Sequence, residues 1–483
     1  MKNRAYYRKR RRVASARPRG NGKRPTPSPS PRGAIRARDA VRELLTLAWP
    51  IAAAMLGETA LGLVDTKITG GLGASALGGV GLATTLMYAL YAFAWGAMRA
   101  VKVRASHAIG EGAPNKGFAY ARAGVLMGLV YGFGVAAVMR HPGPLLHLVG
   151  ANDALLPYAT DFLRALAFGA PATCASAALI QHRQGMGHVR LTMIVGIAAN
   201  ALNATLAVSL VYGKLGLPAL GVAGAGYATA ITKTSELALL GALLVRDEAR
   251  ARRSAAKSRA IAPLAFGVAL REVASLGAPT GLQFAGELLA FTTFTAVLGS
   301  LGAHEIAAHQ IALSTIRVSF LPGIAVSEAT SVLVGRALGE RRVDRADAAT
   351  RAGLGVAMAF MSLCGIGFAV FGGSLARFFS PDERVVVVAT RLLWVASVFQ
   401  LLDAANIVLR GALRGAKDVA GVAAIGLFAT WAFIPTAAYV LGKRLELGAL
   451  GGWLGFVAET AVSAGLFWWR WKRGSWRLRL AAA

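Results

Sequence analysis

The chain has 483 residues, 55% of them apolar and 16% charged, with a formal net charge of +30. Soluble domains carry roughly a quarter charged residues, so a soluble fold is excluded. The two cysteines, Cys174 and Cys364, lie far apart in apolar stretches and exclude a disulfide scaffold.

Residues 1–42 form a basic, low-complexity tail, with a run from Arg8 to Arg12 and a Pro/Ser stretch from Pro25 to Pro31. Such a segment buries too little apolar surface to order itself. It is expected to be disordered and to rest as a cytoplasmic arm on anionic lipid, rather than to bind nucleic acid. No apolar run of signal-peptide type precedes residue 44, so cleavage and secretion are not expected. Six apolar segments follow, at 44–70, 76–100, 118–139, 155–180, 190–212 and 219–245, and make an N-terminal lobe over 43–246. A basic cytoplasmic linker, 247–268, leads to six more, at 270–299, 305–335, 352–372, 386–410, 419–441 and 447–469. These make a C-terminal lobe over 269–470, before a cytoplasmic tail, 471–483. Each segment reaches the roughly 20 residues a bilayer-crossing helix needs, and glycine recurs inside them, where small residues let membrane helices approach closely.

The loops set the topology. The side shared by both termini collects Arg183, Arg190, Arg246, Arg250, Arg252, Arg253, Lys257, Arg259, Arg336, Arg341, Arg342 and Arg345, then Arg410, Arg414, Lys417 and a basic C-terminus. The other side holds only Arg140, Lys214, Arg377, Arg384, Lys443 and Arg444. That asymmetry predicts cytoplasmic termini and accounts for the net charge without a nucleic-acid partner.

The sequence also repeats. Pro50 matches Pro279, Gly57-Glu58 matches Gly286-Glu287, Gly70 matches Gly299, and Leu72-Gly73-Ala74 matches Leu301-Gly302-Ala303, all at an offset of 229 (279 − 50). Ala108-Ile109-Gly110-Glu111 matches Ala337-Leu338-Gly339-Glu340 at the same offset, and Gly185 matches Gly415 one residue later. Six spans return the chain to its starting side, so the two halves share one orientation about an axis along the membrane normal. The predicted fold is therefore all-α and polytopic, with twelve transmembrane helices in two six-helix lobes around a cleft that rocking opens to each side in turn.

A charge at mid-bilayer costs about 2.5–3.5 kcal/mol on insertion scales, so each one asks for a role. The acids are Glu58, Asp65, Glu236, Glu287, Glu328, Asp403 and Glu459; the bases are Lys67, Arg99, Lys233 and Arg317. Glu287 and Asp403, near the middle of the seventh and tenth spans, are the leading pair. Facing carboxylates hold a sodium ion with other oxygens, or share a proton because like charges raise one pKa; an internal ion pair is the structural alternative. Asp65 is a candidate second cation or drug contact, and Lys67 snorkels to the interface. Arg99 and Glu328 stand 229 apart at equivalent positions (328 − 99) and are expected to pair across the cleft when its inner mouth shuts. Lys233 and Glu236, three apart on one helix, satisfy each other.

Val64-Asp65-Thr66 with Gly70, then Ala307-Ala308-His309-Gln310-Ile311-Ala312, then Gln400 to Asp403 with Arg410-Gly411-Ala412-Leu413-Arg414-Gly415, stand in order and at family spacing. On these the chain resembles the multidrug and toxic compound extrusion (MATE) family, in its NorM-type branch, from about residue 42 to 470. The resemblance implies an inner-membrane antiporter that expels organic cations against inward H+ or Na+. It carries the C-lobe cation site to Glu287 and Asp403, with Na+ as its metal ligand, and the N-lobe carboxylate to Asp65. Asn200 and Asn203 keep the fifth-span Asn pattern, but Ala207 stands where one branch has an acid. Arg99, Lys102 and Arg104 replace small and apolar residues of the second span. Gln283, His309, Gln310 and Gln400 join the asparagines as candidate substrate contacts.

No GxxxxGK[ST] is present for ATP, no HExxH or cysteine-rich metal spacing, and no nucleophile-base-acid set, so neither enzyme activity nor a cofactor is expected. His309 reads as a packed histidine or a titrating contact; Phe284, Phe291, Phe294 and Phe320 read as core or cleft lining. Expected partners are drug-like small molecules and membrane lipids, with the chain a monomer. A flippase or exporter of lipid-linked or anionic small molecules is the second reading, favoured by the basic second span. A receptor or scaffold that moves nothing is the third, and gives no reason for seven carboxylates in spans.

Overall fold

A computed structural model describes residues 37–148, 152–255, 264–474 and 476–477. The expected tail over residues 1–36, the linker over 256–263 and the end of the C-terminal tail lie outside the described residues. Among the described residues all regular structure is helical. In chain order the helices are α1 (Ala37–Gly70), α2 (Ala74–Gly110), α3 (Asn115–Arg140), a short α4 (Gly143–Leu148), α5 (Leu156–Ala167), α6 (Ala170–Gly185), α7 (Val189–Tyr212) and α8 (Gly221–Ala255). They continue as α9 (Phe266–Gly299), α10 (Ala303–Gly339), α11 (Val343–Phe379), α12 (Glu383–Gly415), α13 (Val419–Ala437, running on as π turns over Ala438–Arg444) and α14 (Gly448–Arg473). Eleven are long and apolar enough to span alone, and α5 with α6 supplies a twelfth.

That twelfth span departs from the expected continuous helix over 155–180: it bends by 56° between Ala167 and Ala170. The cause is local. Pro171 has no N–H to return to the preceding turn and instead opens α6, where a missing donor is tolerated. Gly169 sits at the bend because α8 presses on it: a Cβ there would lie 2.5 Å from the Ala230 Cα.

Several helices outrun the apolar segments. α2 continues through Lys102, Arg104 and His107 to Gly110, and α8 takes in the first residues of the expected linker. Hydropathy ends a span at the first cluster of charge; the backbone has no reason to stop there, because Lys and Arg are good helix formers.

The duplication is written into the helix limits. α1 and α9 begin at 37 and 266 and end at 70 and 299; α2 and α10 begin at 74 and 303 and end at 110 and 339. Each pair differs by 229. Gly73 and Gly302 hold the equivalent turns at φ 107° and 140°, a region open to glycine. Each lobe has its own core: Tyr91, Leu163 and Leu166 are buried in one, Phe294, Leu392 and Trp453 in the other. Small residues set the helix approaches. A Cβ on Gly128 would meet the Cys174 carbonyl at 2.6 Å, and one on Gly415 the Ser331 carbonyl at 2.5 Å.

The lobes meet through α2. A Cβ on Gly96 would lie 2.6 Å from the Thr280 carbonyl, and one on Gly281 2.7 Å from the Phe93 carbonyl, where α2 crosses α9. Further along, Gly110 and Gly339 bring the ends of α2 and α10 together, each within 2.4 Å of the other helix's carbonyls by the same measure. His107 Nε2 bonds the Gly415 carbonyl at 2.8 Å. These contacts run from mid-helix to the end of the molecule where α1 begins and α14 finishes.

Candidate functional site: an ion-pair network between the lobes

Arg99 and Lys102 are three apart on α2 and so share a face. Opposite them α10 places Glu328. Arg99 Nη1 stands 3.2 Å from Glu328 Oε1, and Lys102 Nζ pairs with Glu328 Oε2. The structure thus brings the symmetry-equivalent Arg99 and Glu328 together and adds Lys102, only 1% exposed, which sequence reasoning had placed in a general basic cluster.

Two more pairs join the lobes at the same end. Arg104 reaches Glu272 of α9 at 3.2 Å, and Tyr120 donates to the same carboxylate at 2.6 Å. Arg345 of α11 donates to Glu43 of α1 at 2.9 Å. None of these carboxylates was expected at a site, because Glu43 and Glu272 fall at segment edges where a charge is unremarked.

Above the α2–α10 pair lies a second layer, built from α9 and α12. Glu287 accepts from Gln283 Nε2 at 2.8 Å and from Arg410 Nη1 at 3.1 Å to each oxygen. Gln283 Oε1 in turn accepts from Arg414 Nη2 at 3.1 Å. α13 lies close enough to need Gly426: a Cβ there would fall 2.4 Å from Gln283 Nε2 and 2.7 Å from Glu287 Oε1.

The expected Glu287–Asp403 pair is therefore not what the helices assemble. Arg410 takes Glu287. Asp403, seven residues before Arg410 and so on the same face of α12 two turns away, is 4% exposed and its Oδ2 has no hydrogen-bond partner. Arg410 lies within electrostatic reach of Glu287, Glu459 and Asp403. Glu459 accepts from Ser463 at 2.9 Å and Thr460 at 3.0 Å. A sodium ion bridging Glu287 and Asp403 does not fit this arrangement, because a tethered guanidinium already occupies the Glu287 oxygens. Arg410 and Arg414 had been counted as loop charges; α12 runs on to Gly415 and carries both inside.

The other candidates scatter. Asp65, on the far half of α1, is half-buried with Oδ1 unpartnered; Lys67 beside it is exposed. Asn203 donates to Thr229 at 3.1 Å within the N-lobe, Asn200 faces Gly57, and Ala207 is 1% exposed in the core. Lys233 pairs with Glu236 at 2.8 Å, with Glu58 within electrostatic reach of both. Gln400 bonds Ser319, and Gln310 is exposed. His309 is fully buried, accepts from the Trp453 indole at 3.2 Å, and packs against Phe291 and Phe294; it is core. Phe320 packs on the same C-lobe core. Phe284 alone of the four phenylalanines touches the network, 5.1 Å beneath the Arg99 guanidinium. Among the described residues there is no group of three or more His, Cys, Asp or Glu placed to hold a metal ion.

Duplicated six-span lobes joined by ion pairs define a polytopic membrane protein of two like-oriented halves. The MatE family model matches residues 50–209 and again 279–439, its two copies starting 229 apart. The chain belongs to this family, whose named relatives are multidrug efflux transporters. It is 31% identical over 442 residues to "Probable multidrug resistance protein NorM" of Burkholderia pseudomallei, covering 90% of this chain and 93% of that one. It is 28% identical over 433 residues to the protein of the same name from Mannheimia succiniciproducens, covering 89% and 93%. The crystal structure of the eukaryotic MATE transporter AtDTX14 superposes with a TM-score of 0.81 over 92% of this chain and 98% of that one, at 19% identity, and shares its fold.

Proposed function

We propose that this chain is a secondary active exporter. It carries small organic molecules out of the cell by alternating access, driven by inward proton flow, as a monomer in the inner membrane with both termini cytoplasmic and no chemical step. The N-lobe (43–246) and C-lobe (269–470) are its moving bodies. The observation that carries the reading is the placement of the lobe contacts. The Arg99–Lys102–Glu328, Arg104–Glu272 and Arg345–Glu43 pairs all lie toward one end. They act there as a latch that has to break before that end opens. The excess of Lys and Arg in the loops at this end supports a cytoplasmic assignment, which makes the present state one closed toward the cytoplasm.

Protons rather than sodium are favoured as coupling ion by Arg410. Its guanidinium already serves as the counter-ion of Glu287, leaving buried Asp403 as an acid that exchanges a proton without needing a metal. The relatives named for multidrug resistance support the cargo being a drug-like compound. Reconstituted protein should move a fluorescent cargo under a pH gradient with no sodium present, and Asp403→Asn should stop it. Flux that needs sodium and ignores the pH gradient refutes proton coupling, and flux under neither gradient refutes the exporter reading.

A further inference from the structure

The network between the lobes is not evenly paired. Four cations meet there: Arg99 and Lys102 from α2, Arg410 and Arg414 from α12. Within bonding distance stand two carboxylates, Glu328 and Glu287. Asp403 and Glu459 lie within reach of Arg410, and Arg410 also has Glu287. Glu287 is also within electrostatic reach of Arg99 and Arg414, so the charges are unevenly paired, with Arg99 and Lys102 sharing the one Glu328 carboxylate. Lys102, 1% exposed, lies within electrostatic reach of Arg99 and Arg414. Arg414, 8% exposed, donates to the neutral oxygen of Gln283, and its Nε has no hydrogen-bond partner. These side chains line a pocket of about 10 Å³ together with Thr280, Ser327 and Glu328, room for about one water.

Buried like charges without matching counter-charge are costly, and Glu328 bonds both Arg99 and Lys102 from the opposite lobe. Glu328 is in this sense an internal ligand of the α2 pair. When the latched end opens, α10 carries Glu328 away. α12 is packed on α10 and carries Arg414 with it, so Arg99 and Lys102 are then bare on the N-lobe side of the new cavity.

We propose that Arg99 and Lys102 are the recognition site for an anionic group of the cargo, a carboxylate or phosphate that replaces Glu328. The inference rests on the exporter reading and names its substrate class. A guanidinium fork and an ammonium suit planar and tetrahedral oxyanions, whereas an organic cation would meet two like charges. Phe284 beneath Arg99 supplies an aromatic wall for the body of the molecule. Competition also couples binding to movement. Glu328 returns to the α2 pair only after the anion has left, so the loaded transporter stays open at this end until the cargo moves on.

The test uses the full-length protein in liposomes with three probes: carboxyfluorescein, ethidium, and a fluorescent phosphatidylglycerol whose translocation is read by dithionite quenching. Carboxyfluorescein should move at least tenfold faster than ethidium, and Lys102→Gln or Arg99→Gln should cut its flux about tenfold. Purified protein should gain thermal stability with carboxyfluorescein, an effect weakened in Lys102→Gln. Glu328→Gln, which removes the internal competitor, should tighten carboxyfluorescein binding about tenfold, and Gly96→Leu, which loosens the same end but keeps Glu328, should give a smaller gain. Movement of the lipid with neither dye supports the same oxyanion site with a headgroup as its ligand. Ethidium flux without carboxyfluorescein flux leaves the exporter standing and overturns the anion site. So does carboxyfluorescein binding that Lys102→Gln and Glu328→Gln both leave unchanged. Flux of no probe sinks the exporter reading, and the thermal shifts then decide the site by themselves.

Discussion

Arg410→Ala tests whether a tethered cation stands where an exchangeable one would otherwise bind. The substitution removes two 3.1 Å bonds to Glu287 and leaves that carboxylate with Gln283 as its hydrogen-bond donor. A hydrogen bond to a charged group contributes about 1.5–3 kcal/mol, and breaking a fully buried pair costs about 3–5 kcal/mol. The two side chains are 16% and 20% exposed, so water recovers part of that, and about 2–4 kcal/mol is a fair figure. The same free energy becomes available to a soluble cation that takes the vacated place. At 1.4 kcal/mol per decade, an affinity gain of roughly 30- to 700-fold follows. The assay compares thermal unfolding and dye flux in NaCl with those in KCl. Wild type should be indifferent to the exchange. Arg410→Ala should lose stability in KCl and regain part of it in NaCl, while Arg410→Lys, which keeps a tethered charge, should stay indifferent. Sodium stimulation of wild type, or an Arg410→Ala protein that ignores sodium, would refute the reasoning.

Glu328→Gln weakens the latch. With one charge-assisted pair lost, at about 1.5–3 kcal/mol, a cysteine introduced at Ser327 should be alkylated from the latched side at least tenfold faster. Gly96→Leu inserts a side chain where a Cβ alone would lie 2.6 Å from the Thr280 carbonyl. Overpacking of about 1–3 kcal/mol should drive α2 from α9 and raise the same labelling rate. Gly426→Ala should cut transport several-fold by displacing Gln283 and Glu287, with little change in expression or unfolding temperature. His309→Phe should cost about 1 kcal/mol through the lost Trp453 bond and leave the pH profile of transport unmoved; a shifted profile would make His309 part of the proton path.

Much of this was legible in the sequence. The offset of 229 fixed the paired helices, and α1, α2, α9 and α10 reproduce it at both ends. The same arithmetic pointed to Arg99 opposite Glu328. What stayed hidden has physical causes. Hydropathy cuts a helix at its first charges, so Arg410 and Arg414 read as cytoplasmic loop charges, whereas α12 runs on and carries both to the layer beside Glu287 and Gln283. Two acids at mid-span suggest each other, and the internal ion pair that stood as the alternative is formed by Glu287 with Arg410, two turns along α12 from Asp403. The break in the fourth span was marked by Gly169 and Pro171, but a proline within an apolar run does not by itself say whether a helix kinks or stops.

The central claim is that the two lobes rock as bodies about the ion-pair layer. Spin labels report it in a Cys174→Ala, Cys364→Ala background, with one pair at Glu111 and Asp344 on the latched end and another at Ser75 and Ser300 on the far end; all four positions are exposed. On acidification or addition of cargo, the first distance should lengthen while the second shortens. Distances that change together, or a latched end that stays fixed while transport proceeds, would contradict it.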